Sequence, residues 1–166
     1  MKKIAVLMGS DSDFPKVEPA LKILKAFGIP TQVRVMSCHR TPAVVKEFSE
    51  NALKNGYGAI IAAAGKAAHI AGVIAAHTIL PVIGIPISST TLDGMDALLS
   101  MVQMPPGVPV ATVAINGAEN AAYLAVQILA LSDDSLAKKL VEHRVKMTED
   151  VIAKDLALQK RLVDNP

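Results

Sequence analysis

Between Tyr57 and Ala64 the sequence reads Tyr-Gly-Ala-Ile-Ile-Ala-Ala-Ala, apolar throughout and without alternation. A strand of that kind has two faces to hide, and a parallel sheet with helices on both sides hides them. The rest of the chain supplies such a sheet. Lys3 to Met8 is a short apolar run stopped by Gly9, and Thr31 to Val35 is rich in β-branched residues. Val82 to Ile85 lies between Pro81 and Pro86, and Val110 to Ile115 leads into an Asn116-Gly117 turn. Between these runs apolar residues recur at helical spacing. Val17, Ala20, Leu21, Leu24 and Phe27 form one set, Val44, Val45, Phe48 and Ala52 a second, and Ile70, Val73 and Ile74 begin a third. A short helix follows Leu92-Asp93-Gly94, and an Ala-rich helix covers Ala118 to Leu131. Leu136, Leu140, Met147 and Val151 then mark a long terminal helix that frays toward Pro166. Five strands alternating with helices through right-handed crossovers predict an α/β fold. The expected form is a three-layer doubly wound parallel sheet, flavodoxin-like, with a long C-terminal helix. No linker or internal repeat divides the 166 residues, so one domain over 1–166 is expected.

Sheets of this type bind ligands beyond the carboxyl ends of their strands, so the loops there carry the functional reading. After the second strand comes Met36-Ser37-Cys38-His39-Arg40-Thr41-Pro42. Ser37 and Thr41 offer hydroxyls, Arg40 a permanent fork of donors for phosphate or carboxylate, and His39 a proton exchangeable near neutral pH. The same letters also fit a solvated loop with Thr41 as helix N-cap and Pro42 as the first helical residue. After the first strand, Gly9, Ser10 and Ser12 can present hydroxyls and backbone donors to a phosphate at a helix N-terminus. Asp13 can accept from a ribose hydroxyl or merely cap the helix, and Asp11 reads as solvated. After the third strand, Gly65-Lys66-Ala67-Ala68-His69 is small enough for a flat ligand to approach the backbone. His69 can hydrogen-bond such a ligand, or it can cap or pack. Lys66 is unusual in so small-residued a loop. Gln103 to Pro109, with three prolines, reads as a cover, a subunit contact or a rigid connector.

Composition narrows the chemistry by exclusion. Seventeen Lys+Arg against fifteen Asp+Glu leave +2, with no basic block for nucleic acid and no basic amphipathic face for a membrane. The apolar start ends at Gly9, too soon for a signal peptide, and no run approaches the roughly 20 apolar residues of a membrane span. One cysteine excludes an internal disulfide framework, and a cytoplasmic location is expected. Hydrophobic residues make up 51% and charged ones only 19%, against about 25% in an ordinary soluble domain, so a homo-oligomer with large apolar contacts is expected. The histidines and Cys38 lie without metal-ligand spacing, and there is no dinucleotide glycine fingerprint or P-loop. Cys38 and His39 are neighbours in an extended loop and point opposite ways, so they are not a nucleophile and its base. No metal or cofactor is expected. What remains is a phosphate-bearing small molecule and one mobile proton.

Gly9-Ser10-Asp11-Ser12-Asp13, Ser37 to Pro42, Gly65 to His69, and Leu99 to Pro105 with Gly107-Val108-Pro109 together resemble the N5-carboxyaminoimidazole ribonucleotide mutases of purine biosynthesis. The resemblance spans nearly the whole chain in order. It implies an octamer and a reaction that moves a carboxylate from the exocyclic nitrogen to C4 of an aminoimidazole ribonucleotide. By the match, Ser10, Ser12, Ser37 and Arg40 hold the phosphate, Asp13 the ribose, and His39 carries the proton. Gly65, Lys66 and His69 lie against the imidazole and the migrating carboxylate.

The sequence departs from the family pattern in three places. Cys38 stands where alanine is usual, Lys66 where a second glycine is usual, and Ile70-Ala71 where Leu-Pro is usual. Lys66 would bind the carboxylate, crowd the cavity, or turn toward another subunit. Related animal-type enzymes carboxylate aminoimidazole ribonucleotide directly with carbon dioxide, but their second loop usually begins His-Lys rather than His39-Arg40. A non-catalytic flavodoxin-like module is the reading from a different class. Against it, the third strand ends in Ala62-Ala63-Ala64-Gly65 with no aspartate, and Phe14 is the only aromatic residue in the rim loops.

Overall fold

A computed structural model describes residues 1–164. Five parallel strands, β1 (Lys3–Met8), β2 (Thr31–Val35), β3 (Tyr57–Gly65), β4 (Val82–Ile87) and β5 (Ala111–Thr112), stand in the order β2-β1-β3-β4-β5. Six helices accompany them: α1 (Phe14–Ala26), α2 (Pro42–Asn51), α3 (Ile70–Ala76), α4 (Met95–Val102), α5 (Ala118–Ala130) and α6 (Asp134–Asp164). This is the doubly wound, three-layer sheet expected, with its long C-terminal helix.

Alternation along the central strands explains the layers. Ile4, Val6, Met8, Ala59, Ile61 and Ala63 belong to a core under α1 and α5, whereas Ala5, Leu7, Ile60 and Ala62 belong to one under α2, α3 and α4. Fully hiding one isoleucine contributes about 1.5–3 kcal/mol, so the apolar central strands dominate the stability of the sheet. The sheet departs from expectation at its edge. β4 runs past Ile85 through Pro86 to Ile87, while β5 pairs over only two residues. Pro86 has no N–H to offer, and the β5 ladder stops at Gly84–Thr112. Beyond it the chain follows β4 through single bonds, Val113 N to the Gly84 carbonyl (3.0 Å) and Asn116 N to the Pro86 carbonyl (2.8 Å).

The terminal helix also differs from its apolar pattern. Leu136 is buried and Leu140 partly so, but Met147 and Val151 are exposed, as is every residue described from Arg144 onward. The fraying expected toward Pro166 lies outside the described residues. β2 is likewise exposed along its length, with Val35 52% accessible. Among the described residues no helix is long and apolar enough to cross a membrane.

Candidate functional site

The order of the strands reverses direction between β1 and β3, and such a switch point opens a crevice at the carboxyl ends. A cavity of about 680 Å³ occupies it, walled by the loops after β1, β2, β3 and β4.

From the β1 loop come Ser10, Ser12 and Asp13. Asp11–Asp13 form a single 3-10 turn with Ser10 at its N-cap, where Ser10 Oγ accepts from Ser12 N (3.3 Å) and from Ser12 Oγ (2.8 Å). Asp11 is exposed and accepts from Ser10 Oγ at 3.3 Å. Asp13 occupies the N-cap position of α1, yet its carboxylate makes no capping bond. The helix-capping reading of this residue therefore fails. Desolvation by burial pushes the Asp13 carboxyl above its ordinary value, against the opposing pull of Lys16 and of the Ser10 backbone bond.

From the β2 loop come Ser37, Cys38, His39 and Arg40. Thr41 Oγ1 turns back to accept from Ser37 N (2.9 Å) and donate to Ser37 O (3.0 Å), rather than bonding to the first turn of α2. Pro42 does begin that helix. The loop thus closes on itself, with Arg40 N donating to Ser37 Oγ at 3.2 Å. Arg40 Nη2 donates to the Gly9 carbonyl at 2.9 Å and so ties the second loop to the first. Burial pushes the Cys38 thiol up, the opposite of what a nucleophile needs.

From the β3 loop come Gly65, Lys66 and His69. A Cβ on Gly65 would lie 3.1 Å from the Ile87 carbonyl, so the close approach of β3 to β4 favours glycine there. His69 sits at the N-cap position of α3 without a capping bond, and it is exposed rather than packed in the core. Its Nδ1 faces His39 Nε2 at 2.9 Å, with the two rings perpendicular at 86° and their centroids 5.0 Å apart. One nitrogen of that pair must hold the proton while the other accepts it. A single hydrogen is therefore held between two residues 30 positions apart in sequence.

All nine residues assigned to the site by the family resemblance line this one cavity, whereas Thr41, whose hydroxyl the sequence also offered, does not. The sequence reading missed Lys16, Ser88 and Ser89, which also line it. Lys16 Nζ donates to Ser88 O (2.7 Å) and Ser88 Oγ (2.9 Å), while Asn116 bonds Ser88 from the far side, through Oδ1 at 3.0 Å and Nδ2 at 2.8 Å. Lys16 lies one helical turn beyond Asp13, and that spacing was the available signal. The polar Ser88–Thr91 loop was another. Gln103 to Pro109 contributes nothing to the described wall.

Three cations, Lys16, Arg40 and Lys66, share the wall with one carboxylate, Asp13. Such a wall favours an anionic ligand. No aromatic side chain other than the two imidazoles lines it, and among the described residues no three His, Cys, Asp or Glu gather as a metal site.

Comparison with known proteins gives concordant results. A family model described as AIR carboxylase matches residues 3–150. The chain is 53% identical over 152 residues to an N5-carboxyaminoimidazole ribonucleotide mutase of Methanocaldococcus jannaschii, covering 92% of this chain and 94% of that one. It is 48% identical over 156 residues to a phosphoribosylaminoimidazole carboxylase of Saccharomyces cerevisiae, covering 94% of this chain but 27% of the yeast protein. Among solved structures, Treponema denticola PurE superposes with a TM-score of 0.84 at 28% identity, covering 92% of this chain and 95% of the other.

Proposed function

The chain belongs to the AIR carboxylase family, and from that membership we infer that it is an N5-carboxyaminoimidazole ribonucleotide mutase, an isomerase of purine biosynthesis. It converts the carbamate ribonucleotide to 4-carboxy-5-aminoimidazole ribonucleotide. The observation that carries the residue roles is the His39–His69 pair, held in one cavity with the serine turn and the small-residue bend.

In this reading Ser10, Ser12, Ser37 and Arg40 hold the phosphate and Asp13 the ribose. Binding energy collected there, away from the reacting atoms, fixes the imidazole ring beside His39. His39 gives a proton to the exocyclic nitrogen as the bond from that nitrogen to the carboxylate carbon breaks and carbon dioxide is released. C4 then attacks the carbon dioxide, and the proton that leaves C4 returns to His39. The enzyme ends as it began. Gly65, Lys66 and His69 lie against the ring and the migrating group, and the small apolar wall at Ala64 and Ala67 retains a neutral gas molecule. His69 holds the His39 ring in orientation through the hydrogen the two rings share.

The functional unit of this proposal is one domain over 1–166 in a cytoplasmic homo-oligomer, an octamer. The exposed apolar residues of β2, α4 and α6 support assembly. Direct carboxylation of aminoimidazole ribonucleotide is the second reading, favoured by the likeness to the yeast carboxylase.

Two incubations followed by product absorbance separate these readings. The mutase forms product from the carbamate ribonucleotide without added bicarbonate. Turnover only with aminoimidazole ribonucleotide plus bicarbonate would transfer the assignment to the carboxylase. In the same assay His39→Asn is expected to lower turnover at least about 100-fold while ribonucleotide affinity stays near wild type. Near-normal turnover would remove His39 from the proton transfer.

A further inference from the structure

Lys66 holds a backbone conformation that a lysine ordinarily avoids. Its φ is +56°, in the left-handed region where a Cβ is penalised. The bend beyond it is tight, with Ala68 N donating to the Lys66 carbonyl (2.8 Å) and His69 N to the Ala67 carbonyl (2.9 Å). Glycine would satisfy this geometry without penalty. Strain kept in a cavity wall points to something the side chain does there.

The other two cations of the wall are tethered. Lys16 donates twice to Ser88 and Arg40 donates to the Gly9 carbonyl. Among the described residues the Lys66 ammonium has no hydrogen-bond or ion-pair partner, so its full charge is available to a ligand. It also stands on the loop that carries His69, three residues before it, and lines the same cavity.

We propose that Lys66 is a specificity-determining residue whose ammonium binds the carboxylate carried by the aminoimidazole ring, so that the site prefers carboxylated ribonucleotides to uncarboxylated ones. This rests on the functional reading above. The preference has a kinetic cost. Cleavage of the carbamate drains negative charge out of the carboxylate as neutral carbon dioxide forms, so a cation there stabilises the bound substrate more than the transition state. Lys66 lowers KM without raising kcat.

The test measures dissociation constants by calorimetry for 4-carboxy-5-aminoimidazole ribonucleotide and for 5-aminoimidazole ribonucleotide. The proteins are wild type, Lys66→Met, Lys66→Arg and Lys66→Gly. Lys66→Met is expected to weaken binding of the carboxylated ligand about tenfold or more and leave the uncarboxylated one unchanged, with Lys66→Arg restoring most of the preference. KM for the carbamate ribonucleotide should rise in Lys66→Met, and kcat should rise with it. Lys66→Gly loses the same preference but gains thermal stability, because it relieves the left-handed strain that methionine retains. An unchanged ratio of the two affinities in Lys66→Met would overturn the proposal while leaving the mutase reading intact. So would a changed oligomeric mass with the ratio preserved, which would assign Lys66 to a subunit contact. Wild-type protein that binds neither ribonucleotide would overturn both.

Discussion

At the scale of the residue, Asp13 shows how position and chemistry separate. Its place before α1 suits a helix cap, but its carboxylate makes no cap and is instead partly buried beside the cavity. Burial raises its folded-state pKa, so its effect on stability has a definite sign. Below the ordinary carboxylate range Asp13 is protonated in folded and unfolded chains alike and costs nothing. Once the pH exceeds the raised folded value, the folded protein must keep a half-desolvated charge that the unfolded chain keeps in water. Asp13→Asn is therefore expected to raise Tm at neutral pH, with the two melting curves converging in acid. A variant less stable at neutral pH would show that Lys16 more than offsets the burial. These roles were legible in the sequence only as alternatives. Asp13, Thr41 and His69 each stood at a helix start, and residue type alone cannot say whether a side chain turns toward its helix or away from it. Lys16 was missed because a lysine on an amphipathic helix reads as solvent-facing, and its partner Ser88 is 72 residues distant.

At the scale of the element, the apolar runs announced β1 and β3 nearly to their ends, because strands buried on both faces admit few substitutes, while β2, exposed along its length, was announced by its β-branched residues instead. The errors fell where pairing rather than pattern decides. Val110 to Ile115 has the composition of a strand, yet only Ala111 and Thr112 pair, since the neighbouring strand presents Pro86 just beyond. The start of α6, unlike those of α1, α2 and α3, follows local chemistry. Asp133 Oδ1 accepts from Ser135 N (3.0 Å), Ser135 Oγ (2.8 Å) and Leu136 N (3.2 Å) at the head of α6. The Ser135 hydroxyl and these backbone donors hold the Asp133 carboxyl below its ordinary value. The stabilisation is thus present above the ordinary carboxylate range and lost as pH falls through the lowered one. Asp133→Ala should lower Tm at neutral pH, and Asp133→Asn, which retains the cap, should restore most of the loss. The difference between wild type and alanine variant should shrink in strong acid. A difference independent of pH would assign it to something other than the charged cap.

At the scale of the whole molecule, the high apolar content was legible in the sequence and its destination was not. Leu136, Leu140, Met147 and Val151 follow one helical pattern, but the first two meet the core and the last two meet solvent. A periodic stripe records that a surface is to be covered without recording by what. For the proposed assembly, light scattering is expected to return a multiple of 17.4 kDa. Val151→Glu together with Leu162→Glu should shift that mass toward the monomer. A monomeric wild type would end the oligomer proposal. The last twenty described residues of α6, about 30 Å of helix at 1.5 Å per residue, are all exposed in their own chain. If sister copies shelter that rod, each copy's survival depends on how many others surround it, and dilution alone becomes a denaturant.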